Sequence, residues 1–307
     1  MMKKIAIWVC AVLLMLPLTA CGSKKASQYT MGLSSVSSRT MEDTRRSTVK
    51  ITAAAVVLDG EGIIRRCTVD ELAFDVTPTG SPADLSTKME RGDKYIPTEE
   101  ETGGVTANTS WEQQAKLFCT YVVGKKPGEV SGIAATDGKT TAIEGCDLIV
   151  TDLIRAVRAA ADAATDQKVG EGDDLKLAMT AARDAAASSP EFEVEFAAVT
   201  MDGDTVTGCA VDTLPISLPV EEGVFTYVSG EMLTKVQQGD AYGMKKASPI
   251  EREWYEQADA FATYAVNKTA AALDGIALDS EGKTDAVAGC TIALTAMRQN
   301  LLRAINK

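Results

Sequence analysis

The strongest constraint on this chain is a long internal repeat. Trp111-Glu112-Gln113-Gln114-Ala115-Lys116-Leu117-Phe118-Cys119-Thr120-Tyr121 returns, about 143 residues later, as Trp254-Tyr255-Glu256-Gln257-Ala258-Asp259-Ala260-Phe261-Ala262-Thr263-Tyr264. Both copies continue through Gly-Ile-Ala (Gly132, Gly275) and Gly-Lys-Thr (Gly138, Gly282). Both end in Gly-Cys ahead of an apolar run (Gly145-Cys146, Gly289-Cys290). Upstream, Cys67 to Asp70 matches Cys209 to Asp212 as Cys-x-Val-Asp, and Thr87-Lys88, Gly92-Asp93 and Tyr95 match Thr234-Lys235, Gly239-Asp240 and Tyr242. A period this long is that of a whole domain, not of a solenoid unit. Residues held in both copies mark what the fold needs. Residues held in one copy mark where function can sit.

Each copy carries strand and helix patterns in the same order. Phe192, Val194 and Phe196 alternate with Glu193 and Glu195, the period of a half-buried strand. Asp202-Gly203-Asp204 turns it, and Thr205 to Val211 returns. The first copy runs from Val49 to Leu58, turns at Asp59-Gly60 and returns from Ile63 to Val69. Trp111, Ala115, Phe118 and Val122 fall on one helical face, as do Trp254, Ala258, Phe261 and Ala265. A last helix faces inward through Val150, Leu153 and Val157, or through Leu294, Met297, Leu301 and Ile305. These elements predict the α+β class: two tandem homologous domains, each an antiparallel sheet packed with helices. The expected domains are 47–160 and 191–307. The Ala-rich, acidic stretch 161–190 is expected to be a helical linker, and the Ser-rich stretch 21–46 a flexible tether.

The N-terminus sets the location. Lys3 and Lys4 precede the apolar run Ile5 to Leu16, the features of a signal peptide over 1–20, too short to remain as a spanning helix. Leu18-Thr19-Ala20-Cys21 resembles a bacterial lipobox, which implies cleavage before Cys21, lipid on its thiol and anchoring to the membrane on its extracytoplasmic face. The net charge of −12 argues against nucleic acid as a partner. There is no histidine, which excludes Ser-His-Asp and Cys-His catalysis and histidine-ligated metals. A binding or electron-carrying protein fits better than a catalyst. The acidic turns at Asp59-Gly60, Asp202-Gly203 and Asp279 to Gly282 lack the ligand spacing of a calcium loop and read as turn chemistry.

Cys67 and Cys209 correspond across the copies, as do Cys146 and Cys290, while Cys119 faces Ala262. In an exported chain these duplicated pairs predict disulfides Cys67–Cys146 and Cys209–Cys290. A redox-active dithiol and buried free thiols are the alternatives.

The Gly-Cys turns bear most on function. Asp285-Ala286-Val287-Ala288-Gly289-Cys290-Thr291 resembles the signature of the FMN-binding domain family, Asp-x-x-Ser/Thr-Gly-Ala-Thr, whose final Thr is esterified to the phosphate of FMN. Asp285 then takes the place of the acid, Gly289 of the glycine and Thr291 of the attachment residue. Ala288 replaces Ser/Thr and Cys290 replaces Ala. The family's domains occur in bacterial ion-pumping redox complexes and in surface lipoproteins of extracellular electron transfer. The resemblance implies an electron-carrying lipoprotein with a membrane redox partner and with FMN, covalent at Thr291 or noncovalent, in the second domain. The first copy reads Thr141-Ala142-Ile143-Glu144-Gly145-Cys146-Asp147, with no hydroxyl at Asp147. Thr291 and Asp147 can instead be N-caps of the following helix, or the turn can hold another anion at that helix's N-terminus. The rival function is a non-redox surface lipoprotein that binds a small ligand or a protein partner, or that is structural.

Overall fold

The computed structural model describes residues 29–167, 169–226 and 231–307. The expected signal peptide and the Cys21 lipidation site lie outside them. Two sheet-bearing halves follow one another, each a three-stranded antiparallel meander succeeded by helices, which is the α+β class expected. In the first half, β1 (Thr30–Asp43), β2 (Arg46–Leu58) and β3 (Ile64–Val76) precede α1 (Lys88–Arg91), α2 (Trp111–Val122), α3 (Pro127–Ser131) and α4 (Thr151–Asp162). A two-residue strand, β4 (Thr165–Asp166), then pairs with the start of β1. In the second half, β5 (Asp174–Arg183), β6 (Glu191–Asp202) and β7 (Thr205–Ser217) precede α5 (Lys235–Gln238), α6 (Trp254–Ala265), α7 (Ala270–Asp274) and α8 (Thr295–Ile305). The two main sheets have the orders β3-β2-β1-β4 and β5-β6-β7, and Val220–Glu221 pairs with Val224–Phe225 in a small third sheet.

The first strand of each meander overturns two expectations. Residues 30–43 are a strand, not part of a flexible tether, and Met31 to Ser37 are all buried. Their serines serve close packing. A Cβ on Gly32 would run into the Ala160 carbonyl of α4, so the strand under that helix must be thin. Its polar groups find partners: Ser37 Oγ donates to the Met232 carbonyl at 2.8 Å, and Gln237 Nε2 donates to the Ser35 carbonyl at 2.9 Å. Residues 174–183 are likewise a strand within the stretch expected to be a helical linker. Leu177, Ala178 and Met179 are buried consecutively there, because α8 covers one face of β5 and the other sheet covers the opposite face. The halves therefore begin at β1 and β5, earlier than 47 and 191.

The two sheets pack face to face, with helices outside, giving four layers. Val49, Ile51, Leu72 and Phe74 of one sheet meet Met179, Phe192, Val194 and Phe196 of the other, and the rings of Phe74 and Phe192 stand 4.9 Å apart. On the outer face of the first sheet lies the expected stripe of α2, Trp111, Ala115, Phe118 and Val122, with Leu153 and Val157 of α4. On the second lie Trp254, Ala258, Phe261 and Ala265 of α6, with Met297 and Leu301 of α8. Burying each such large side chain contributes roughly 1.5–3 kcal/mol. Local signals agree: Ser110 caps α2 by accepting from the Gln113 N–H, Pro127 opens α3, and Gly203 turns β6 into β7 with a positive φ of 56°.

The motifs shared upstream form one structural device. Asp70 receives the Thr87 hydroxyl at 2.8 Å and the Met89 N–H at 3.1 Å, so it seats the start of α1 on β3. Asp212 receives the Val236 N–H at 3.1 Å and seats α5 on β7 in the same way. The lysine that follows is buried under two rings. Lys88 Nζ lies 5.7 Å from the Tyr95 ring and 5.5 Å from that of Trp111; Lys235 Nζ lies 5.7 Å from Tyr242 and 5.3 Å from Trp254. These contacts give the shared Asp, Thr-Lys, Tyr and Trp a common role in the fold.

Candidate functional site

The Gly-Cys turns are positioned by a buried glutamine on α2 or α6. Gln257 Oε1 accepts from the Thr291 N–H at 2.8 Å and from Thr291 Oγ1 at 3.0 Å. Its amide donates to Ser248 Oγ at 3.1 Å and to the Arg252 carbonyl at 3.2 Å. Gln114 repeats half of this, accepting the Asp147 N–H at 2.7 Å and donating to the Thr109 carbonyl at 3.2 Å. Gly289 has φ of 81° and Gly145 of 78°, the left-handed conformation that the tight turn from Val287 to Cys290 requires.

Neither Thr291 nor Asp147 is a helix cap. α8 begins at Thr295 with Leu294 as its N-cap, and α4 begins at Thr151 with Val150 as its N-cap; neither cap uses a side chain. The turn ends a few residues before the helix, so the apolar Ile292 and Leu294, or Leu148 and Val150, enter the core first. Anion binding at that helix N-terminus falls with the capping.

The expected disulfides are absent as well: Cys67, Cys119, Cys146, Cys209 and Cys290 are free thiols. Cys67 meets Cys119, with a hydrogen bond between the two side chains. The sulfurs of Cys146 and Cys290 are met by the N–H groups of Leu148 and Ile292 within their own turns. Burial pushes the Cys209 thiol up to about 12, which keeps it a protonated thiol at neutral pH.

Asp285, Cys290 and Thr291 share one wall of a cleft of about 530 Å³, together with Lys283 and Thr284. Gly289 lies behind them, where the Arg252 guanidinium packs against it. In the first half Leu117 takes that place beside Gly145. Arg252, whose counterpart is Thr109, and Gln257 went unread in the sequence. The Gln-Ala pair kept in both copies, Gln114-Ala115 and Gln257-Ala258, was the signal for the second. No metal-holding cluster occurs among the described residues. No helix among them is long and apolar enough to cross a membrane. Comparison with protein-family models, curated proteins and solved structures finds no match to this chain.

One buried rung separates the halves chemically. Thr52 on β2 donates to Glu71 on β3 at 2.9 Å, and Thr213 on β7 donates to Glu195 on β6 at 2.9 Å, so the acid changes strand. Glu71 is paired with Lys88 and Lys50, but Lys235 goes to Glu193 instead. Burial therefore pushes the Glu195 carboxyl up to about 7. The native state holds that proton more tightly than the unfolded chain, so stability falls as pH rises from about 4.5 to 7. Glu195→Gln keeps the acceptor and removes the charge. It is expected to raise the unfolding free energy by roughly 2–3 kcal/mol at pH 8 and to change nothing at pH 4. Urea denaturation at the two pH values checks this; an equal effect at both would defeat it.

Proposed function

We propose that this chain is a lipid-anchored extracytoplasmic electron carrier that holds one FMN in its second half. The observation that supports it most is the meeting of the Thr291 hydroxyl with Asp285 and Lys283 on one cleft, of a volume suited to a small cofactor. Thr291 would carry the phosphoester. Lys283 and the Arg252 guanidinium behind Gly289 supply positive charge for the phosphate, and Gln257 fixes the hydroxyl by accepting from it. Bound FMN would supply one- and two-electron chemistry. Asp147 has no hydroxyl, so one flavin per chain is expected. Tyr29 is already buried. Only residues 22–28 then separate Cys21 from the fold, a reach of at most about 25 Å, which suits exchange with a membrane redox partner.

Coexpression of the exported protein with a flavin transferase tests this. Wild type is expected to gain the mass of FMN less one water and to fluoresce on a denaturing gel. Thr291→Ser is expected to keep the label and Thr291→Ala to lose it entirely. An unlabelled wild type that also fails to quench free FMN would exclude both covalent and noncovalent flavin.

A further inference from the structure

The two halves differ sharply where the last strand of each meander faces α2 or α6. Lys307, just beyond α8 of the second half, reaches the buried Asp70 of the first. Its Nζ lies 3.7 Å from Asp70 Oδ2 and donates to the Leu177 carbonyl at 2.8 Å. On the same strand as Asp70, Cys67 meets Cys119 of α2. The counterparts in the other half are Asp212 for Asp70, Leu33 for Leu177, Ala163 for Lys307 and Ala262 for Cys119. The register supports this, since Leu33 faces Ala55 of β2 as Leu177 faces Ala198 of β6. Ala163 and Lys307 stand at the same step beyond the N-caps Val150 and Leu294.

All four counterparts line one groove of about 550 Å³ between β1 and β7. Ala163 and Ala262 on its wall are shorter than their counterparts Lys307 and Cys119. Its charge differs too. Asp259 stands where the first half has Lys116, and Glu256 where it has Gln113. Against Asp212, Glu256 and Asp259 the groove wall sets a single cation, Arg252. Asp212 is buried, its carboxylate accepting from the Thr213 and Val236 N–H groups and from the Thr234 side chain, with Lys235 nearby, and it makes no ion pair within 4 Å among the described residues.

We propose that this groove binds a primary alkylamine, with its ammonium beside Asp212 and its carbon chain against Leu33, Val211 and Ala262. Lys307 beside Asp70 is the same arrangement made within the chain. Arg252 borders both this groove and the turn at Gly289; the amine site rests on Asp212, which takes no part in the proposed flavin site, so the two can be tested separately.

Calorimetric titration of the whole exported protein with cadaverine and with pentylamine tests the site, with pentanol as the uncharged control. Saturable binding of both amines, one per chain, and none of pentanol is expected. Ala163→Lys places an ammonium where Lys307 places one in the other groove. Ala163 is exposed at the C-terminal end of α4, where a cation is tolerated. That variant is expected to keep its thermal midpoint and to lose at least about tenfold in amine affinity. Asp212→Asn is expected to lose as much; should it not fold, Ala163→Lys decides alone. No saturable binding to wild type, or unchanged affinity in Ala163→Lys, would overturn the proposal.

Discussion

Replacing Lys88 by Met is expected to lower the unfolding free energy by about 3–5 kcal/mol, the range for breaking a buried ion pair from one side. The Lys88 side chain is 3% exposed and pairs with both Glu71 and Glu101. Met fills the space between Tyr95 and Trp111 but leaves two carboxylates in a low-dielectric site. Glu71 keeps Lys50, 3.3 Å away, and Glu101 keeps the Tyr95 hydroxyl at 3.0 Å, which sets the loss toward the lower figure. Lys88 helps to hold the Glu101 carboxyl below its ordinary value; without it that carboxyl takes up a proton more readily in the native state, so the deficit should shrink as pH falls from 8 to 5. Lys235→Met is the control. Its partner Glu193 has a side chain 58% exposed and can turn to water, so a loss of about 1 kcal/mol is expected. Guanidinium midpoints of the two variants at both pH values check the contrast, and equal losses would refute it.

Phe192→Ala is expected to cost about 3–5 kcal/mol and to weaken both halves together. Phe192 lies between the sheets, against Phe74 of the other half, so its removal opens a cavity that both sheets line. With residues 1–20 removed the chain keeps two tryptophans, Trp111 in one half and Trp254 in the other. Fluorescence of Trp111→Phe and Trp254→Phe backgrounds therefore reports each half separately. The two transitions should coincide and shift together. A shift confined to the half that holds Phe192 would show that the sheet interface does not couple them.

The outer layers of this fold are legible in the sequence because α2 and α6 are buried on one face only. Trp111, Ala115, Phe118 and Val122 keep a clean helical period, and the Asp202-Gly203 turn is local chemistry. The strands β1 and β5 are not legible, because both are covered on two faces. Burial on both sides erases alternation, and the close crossing of α4 over Gly32 selects glycine and serine, the composition of a tether. Ala-rich β5 imitates a helix for the same reason. At the candidate site, Asp285, Cys290 and Thr291 line one cleft because they belong to a single short turn motif. Thr291 is misread as a possible cap because the few residues from Ile292 to Leu294 look like a first helical turn. Gln257 and Arg252 act through the tertiary fold, from another helix and the loop before it, and no local spacing ties them to the turn. The paired thiols illustrate the same limit: correspondence between copies shows which cysteines share an environment, not which sulfurs meet.

The reversed Thr–Glu rung bears on how such a chain can be recombined. A graft that sets β2 of the first half against β7 of the second opposes Thr52 with Thr213, a compatible pair. The reciprocal graft opposes Glu195 with Glu71 and buries two carboxylates on one rung, with like charges directly across the ladder. Strands of the two halves are thus not interchangeable parts, despite matching position for position. The smallest exchangeable module is the hairpin, β2 with β3 or β6 with β7, and a crossover inside its turn yields one sound product and one burdened with an uncompensated acid.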